Sequence, residues 1–229
     1  VSTRSYNLGV IKPVAQGEGG LEPSRLFDST QRPLTVLGAG GFGGPSPGLR
    51  LQRGGATVID IQPGTSKGGR VPGMAVAGNR RNRAGTFRTL TAGATMRSGK
   101  ASVAVRHSFA SAAFETSYRV RRGAGTSATL RMPVWGSGSK IELLRGAELR
   151  GKKIVRTSGA ILFRGTTPDG GVMLVAYRGV PSNARLVVVR HGRSSRAPQG
   201  ARELRIRFRV PASTTIKRRV AIVANAPQR

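Results

Sequence analysis

Three guanidinium groups stand at alternate positions in Glu203-Leu204-Arg205-Ile206-Arg207-Phe208-Arg209-Val210. Successive side chains of an extended chain take opposite faces. Arg205, Arg207 and Arg209 therefore form one row, spaced about 6–7 Å apart, with Leu204, Ile206, Phe208 and Val210 as an apolar row behind it. A guanidinium is a planar fork that grips carboxylate, sulfate or phosphate at two points. Arg119 and Arg121 repeat the pattern on a strand whose other face carries Phe114, Thr116, Tyr118 and Val120. Arg80, Arg81 and Arg83 crowd a turn-rich run. Anion binding is the expected chemistry at Arg80, Arg81, Arg83, Arg119, Arg121, Arg205, Arg207 and Arg209, gathered on a broad cationic face.

Groups able to move a proton are few. His107 and His191 are the two histidines, and each ends an expected strand beside an arginine. A histidine there serves proton transfer or charge neutralisation, or is a plain polar strand end. Tyr118 reads as core, whereas Tyr177, followed by Arg178-Gly179, has the more exposed pattern. His107, Tyr177 and His191 are the catalytic candidates. Trp135, between a strand and the turn Gly136-Ser137-Gly138, is a core plug or a platform for a sugar ring.

Two histidines and no cysteine leave no structural metal site and no disulfide scaffold to expect. The glycine-rich run 38–44 lacks the Lys-Ser/Thr ending of a phosphate loop, and no helical pattern follows it. No cofactor is expected. The few carboxylates are scattered, and no Gly-x-Ser-x-Gly sits at a strand–helix turn, so hydrolase constellations are poorly supported.

The elements that must hold these residues read as strands. From residue 86 onward apolar and polar residues alternate over 101–107, 112–121 and 203–210, with shorter runs between. Turn signals such as Gly123-Ala124-Gly125, Asp169-Gly170-Gly171 and Pro181-Ser182-Asn183 punctuate them. That rhythm predicts an antiparallel β-sandwich of about ten strands over 56–229. Residues 1–55 read as a loop-rich N-terminal segment, strand-like only at 34–37. No capped amphipathic helix is legible. No window of about 20 apolar residues exists, so no membrane span is expected.

Net charge is +30, from 39 Lys+Arg against 9 Asp+Glu in 229 residues. Residues 1–50 are close to neutral, and 151–229 hold seventeen bases against Asp169 and Glu203. Such an excess costs self-repulsion and attracts polyanions. Aromatics make up 5% of the chain, and those in the basic strands fall on the core side. Single-stranded nucleic-acid binders interleave stacking aromatics with charge. A repeated uronate or sulfate asks only for repeated Arg and Lys. Acidic polysaccharide is thus the expected partner and nucleic acid the less expected one, with duplex binding through phosphates still open.

The runs Val105-Arg106-His107-Ser108-Phe109, Phe114-Glu115-Thr116-Ser117-Tyr118-Arg119-Val120 and Met132-Pro133-Val134-Trp135-Gly136 resemble the β-sandwich portion of heparinase II/III-like polysaccharide lyases. The resemblance covers about residues 86–190. It implies a secreted, extracellular or cell-surface setting and a uronate-containing substrate. It also implies a second, helical chain or domain, because the helical toroid of that family is absent here. In many polysaccharide lyases a tyrosine beside an arginine or histidine is the acid/base pair. The first expectation is a secreted polyanion-binding sandwich, the β half of an acidic-polysaccharide-acting enzyme. The alternative is a non-catalytic nucleic-acid- or envelope-binding structural protein.

Overall fold

A computed structural model describes residues 6–10, 22–28, 30, 32–35, 45–62, 75–81, 87–110, 112–146, 148–150, 153–155, 160–192 and 200–223. In chain order the strands are β1 (Tyr6–Val10), β2 (Pro23–Asp28), β3 (Gly48–Arg53), β4 (Ala56–Ile61), β5 (Ala75–Arg81) and β6 (Phe87–Ser98). Then come β7 (Ala101–Phe109), β8 (Ala113–Arg121), β9 (Ser127–Trp135), β10 (Lys140–Arg145), β11 (Glu148–Arg150) and β12 (Lys153–Val155). The last five are β13 (Ile161–Thr166), β14 (Val172–Arg178), β15 (Arg185–His191), β16 (Ala201–Arg209) and β17 (Ser213–Val223). No helix occurs among the described residues.

The strands form an antiparallel sandwich, as the alternation predicts. One sheet has eight strands in the order β10-β13-β14-β17-β8-β7-β6-β5. The facing sheet has seven, in the order β11-β12-β15-β16-β9-β3-β4. β1 and β2 pair apart from both. Alternate residues of each strand turn inward: Val103 and Val105 on β7, Phe114 and Tyr118 on β8, Leu130 and Met132 on β9, and Leu204, Ile206 and Phe208 on β16. Burying each such side chain contributes about 1.5–3 kcal/mol.

The structure corrects the reading of the first fifty-five residues. β3 is a full member of the seven-stranded sheet, paired with β9 on one side and β4 on the other. Its alternation, Leu49 and Leu51 in and Arg50 and Gln52 out, is short and follows a Gly/Pro-rich stretch, so local pattern hides it. Gly48 has φ +139, and a Cβ there would collide with the Ile61 carbonyl oxygen, which makes glycine a requirement of the β3–β4 approach. Ala75–Arg81, read as part of a turn-rich run, is strand β5 at the sheet edge.

Candidate anion-binding site

Cross-strand register sets the outer face of the seven-stranded sheet. Arg205 lies opposite Arg131 on β9 and Val187 on β15. Arg207 lies opposite Thr129 and Arg185, and Thr129 in turn lies opposite Arg50 on β3. Arg209 lies opposite Ser127, which faces Gln52. Residues in register share a face. Arg50, Gln52, Ser127, Thr129, Arg131, Glu203, Arg205 and Arg207 line a groove of about 470 Å³ on that face.

Two carboxylates organise its floor. Asp60, on β4, accepts from Arg50 Nε at 2.9 Å and lies 2.7 Å from Arg50 Nη2 and 2.5 Å from Arg131 Nη2. Glu203 accepts from Arg205 Nε at 2.5 Å and lies 3.2 Å from His191 Nε2. The Glu203 side chain is 1% exposed. Burial alone would raise its pKa. Hydrogen bonds from His191 and Arg205, with the Arg205 charge, outweigh burial and hold it below the usual carboxylate value. Both acids are clamped by these contacts, and they orient the guanidiniums around them. Arg131 is 7% exposed, yet its Nε has no hydrogen-bond partner in the structure. Arg207 and Arg209 are exposed and make no ion pair among the described residues. The groove therefore combines held forks, one orphan donor and free cations, a set suited to planar oxyanions.

The anion-binding candidates do not share one face. Arg205, Arg207 and Arg209 stand on the outer face of the seven-stranded sheet. Arg119 and Arg121 are exposed on the outer face of the eight-stranded sheet, on the far side of the sandwich. The expected single cationic face is two faces, because β8 pairs into the eight-stranded sheet and β16 into the seven-stranded one. Arg80 and Arg81 lie on β5, and Arg83 lies outside the described residues.

The catalytic candidates also separate. His191 reaches the groove face through Glu203. His107 is fully buried between the sheets, its Nδ1 3.0 Å from Thr116 Oγ1. Tyr177, expected to be the more exposed tyrosine, is core: its register partner on β17 is Arg218, which also turns inward. Burial pushes the Tyr177 hydroxyl up to about 12, against the pull of the Arg218 charge. Trp135 is half-buried at the end of β9, opposite Ala201.

The sequence reading missed an ionic cluster inside the sandwich. Arg218, 1% exposed, donates through Nη2 to Glu22 Oε2 at 2.8 Å and to Thr116 Oγ1 at 3.0 Å. The Tyr118 hydroxyl donates to Glu22 Oε1, and the guanidinium lies 5.8 Å from the Tyr118 ring centre. Burial works against the Arg218 charge, but the Glu22 carboxylate prevails and holds its pKa above the ordinary arginine value. Burial pushes the Tyr118 hydroxyl well up. A signal was present: in Ile216-Lys217-Arg218-Arg219-Val220, period two puts Arg218 in the apolar row. Its partner Glu22, far away in the chain, carried none. Arg50 and Arg131 were likewise missed because strand pairing, not spacing, brings them to the groove.

No family model matches this sequence, and no curated protein is similar to it. Solved structures are similar in fold. A heparinase III aligns over 89% of this chain and 30% of its own, with TM-score 0.53 and 8% identity. The heparan sulfate lyase HepC from Pedobacter heparinus aligns over 98% of this chain and 36% of its own, with TM-score 0.51 and 10% identity. A galactose mutarotase-like protein from Lactobacillus casei ATCC 334 aligns over 97% of this chain and 99% of its own, with TM-score 0.52 and 9% identity. The chain spans about a third of the length of the heparinase III and of HepC. These likenesses define a class, β-sandwich domains of the kind found in those three proteins.

Proposed function

We propose that the groove between β3, β9 and β16 binds an acidic polysaccharide. In this reading the domain is the β half of an enzyme that acts on uronate-containing chains, with a helical chain or domain supplying the rest. One observation carries it: Arg131 is buried at the groove floor, held by Asp60, with its Nε unpartnered. A buried donor without a partner costs about 1–3 kcal/mol, which a bound oxyanion returns when the guanidinium turns to meet it. Arg207 and Arg209 extend the charge along the strand, and Arg185 lies beside Arg207. The likeness in fold to a heparinase III and a heparan sulfate lyase supports the choice of ligand, as does the lack of aromatic side chains among the groove residues. We place the action outside the cell or at its surface, where such polymers are met.

Binding of a uronate oligosaccharide by calorimetry tests the groove, with duplex DNA at matched salt as the competitor. Arg207→Ala removes an exposed fork and should weaken binding about tenfold, the loss of one charge-assisted hydrogen bond, with unchanged stability. Arg131→Lys keeps the charge, loses the fork, and should weaken binding similarly. Tighter binding of DNA at every salt concentration would overturn the choice of polymer. Ultraviolet absorbance of unsaturated uronates, measured with the chain alone and after adding a helical partner, tests the enzymatic part.

A further inference from the structure

The outer face of the eight-stranded sheet carries its own ordered field of cations. Arg106 on β7, Ser117 on β8, Lys217 on β17 and Arg178 on β14 lie in one cross-strand row. Strands lie about 4.8 Å apart, so that row spaces its cations about 10 Å and about 5 Å from one another. Arg119 lies opposite Ala104 and Thr215, and Arg121 opposite Ser102 and Ser213. Arg106, Arg119, Arg121, Arg178 and Lys217 are all exposed. Between them stand only Ser, Ala and Thr, which leave the surface low and the cations proud of it. Glu115, 3.4 Å from Lys217, is the one carboxylate on β6, β7, β8, β14 and β17.

This face differs from the groove in kind. Among the described residues it has no buried arginine and no buried acid. Its outward residues on β7, β8 and β17 include no aromatic ring, so nothing there stacks on a base. A flat field of long, hydrated cations suits an extended polymer whose charges recur along its length, held at several weak points rather than at one strong one.

We propose that this second face binds acidic polysaccharide independently of the groove, which makes the domain bivalent. The polymer class rests on the reading of the groove; the existence of a second site rests on the register alone. The two faces look away from each other across the sandwich, so one oligosaccharide shorter than the domain cannot occupy both. The domain would join two chains, or hold one long chain on its back while the groove takes a unit from it. Simultaneous engagement raises apparent affinity for long chains through effective concentration, without any new contact.

Calorimetry with a short uronate or sulfated oligosaccharide decides it, using the full chain. The expected result is two bound per protein, falling to one in the triple variant Arg106→Ser, Arg119→Ser, Lys217→Ser, and independently to one in Arg207→Ala with Arg209→Ala. All these positions are exposed, and thermal unfolding of each variant checks that it folds. The gain in affinity for a long chain over the short one should vanish in either variant. One oligosaccharide per native protein, or a stoichiometry the triple variant leaves unchanged, would overturn the second face. Two bound in the native protein, with the groove variant alone lacking effect, would sink the groove reading and leave this one standing. Duplex DNA binding lost in the triple variant and tighter than the oligosaccharide at every salt would assign this face to nucleic acid and end the proposal.

Discussion

Glu203 joins two roles at one side chain: it orients Arg205 and it is a buried charge. Its folded pKa lies below its ordinary value of 4.5. The unfolded chain therefore binds this proton more readily than the folded one. Its contribution is full above that ordinary value and is lost as pH falls through the lowered folded value. Glu203→Gln should be less stable than the native protein at neutral pH, with the gap closing in acid, as read by denaturant titration at several pH values. A gap that stays constant would mean that the clamp carries no linked stability. Glu22 offers a sharper case. Glu22→Gln leaves Arg218 as an uncompensated buried cation and should cost about 3–5 kcal/mol. The double variant Glu22→Leu, Arg218→Met removes both charges and should recover most of that loss. A double variant no better than the single would show that the pair is worth more than its desolvation.

At the scale of elements, β3 decides whether the groove exists. It supplies Arg50, it pairs with β9, and it enters through Gly48 at positive φ. Gly48→Ala should cost about 1–3 kcal/mol through backbone strain and more through collision of its Cβ with the Ile61 carbonyl oxygen, and it should also weaken oligosaccharide binding by displacing Arg50 two residues on. Chemical denaturation and calorimetry report the two effects separately, and binding that survives unchanged would remove Arg50 from the site. The same strand shows what a sequence makes legible. The period-two runs of β8 and β16 announce strands, an apolar inner row and an arginine outer row, because those facts are local. Which sheet a strand joins is not local. Arg119 and Arg205 look alike in sequence, yet they stand on opposite faces because β8 pairs with β17 and β16 pairs with β9. Arg50 and Asp60 could be read only as scattered charges until β3 and β4 were placed. A lone carboxylate in Val58-Ile59-Asp60-Ile61 was a hint, since a buried acid must find a partner.

The whole molecule carries +30, spread over both faces of the sandwich. Raising the ionic strength from about 0.01 M to about 0.15 M shortens the Debye length from about 30 Å to about 8 Å. Two consequences of opposite sign should follow: the melting temperature rises as self-repulsion is screened, and retention on a polyanion column falls. A melting temperature that drops with salt would mean that exposed ion pairs outweigh the excess charge. The internal pair of Glu22 and Arg218 bears on a different matter, the timing of manufacture. The two residues are 196 positions apart. A ribosome adding about 5–20 residues per second leaves Glu22 waiting about 10–40 s for its counter-charge. Over the last part of that interval, once residue 178 has been added, β8 and β14, which will flank β17, exist without it, their inner edges open to other chains. Newborn copies made close together on one message are therefore exposed to mispairing at that gap until Arg218 arrives.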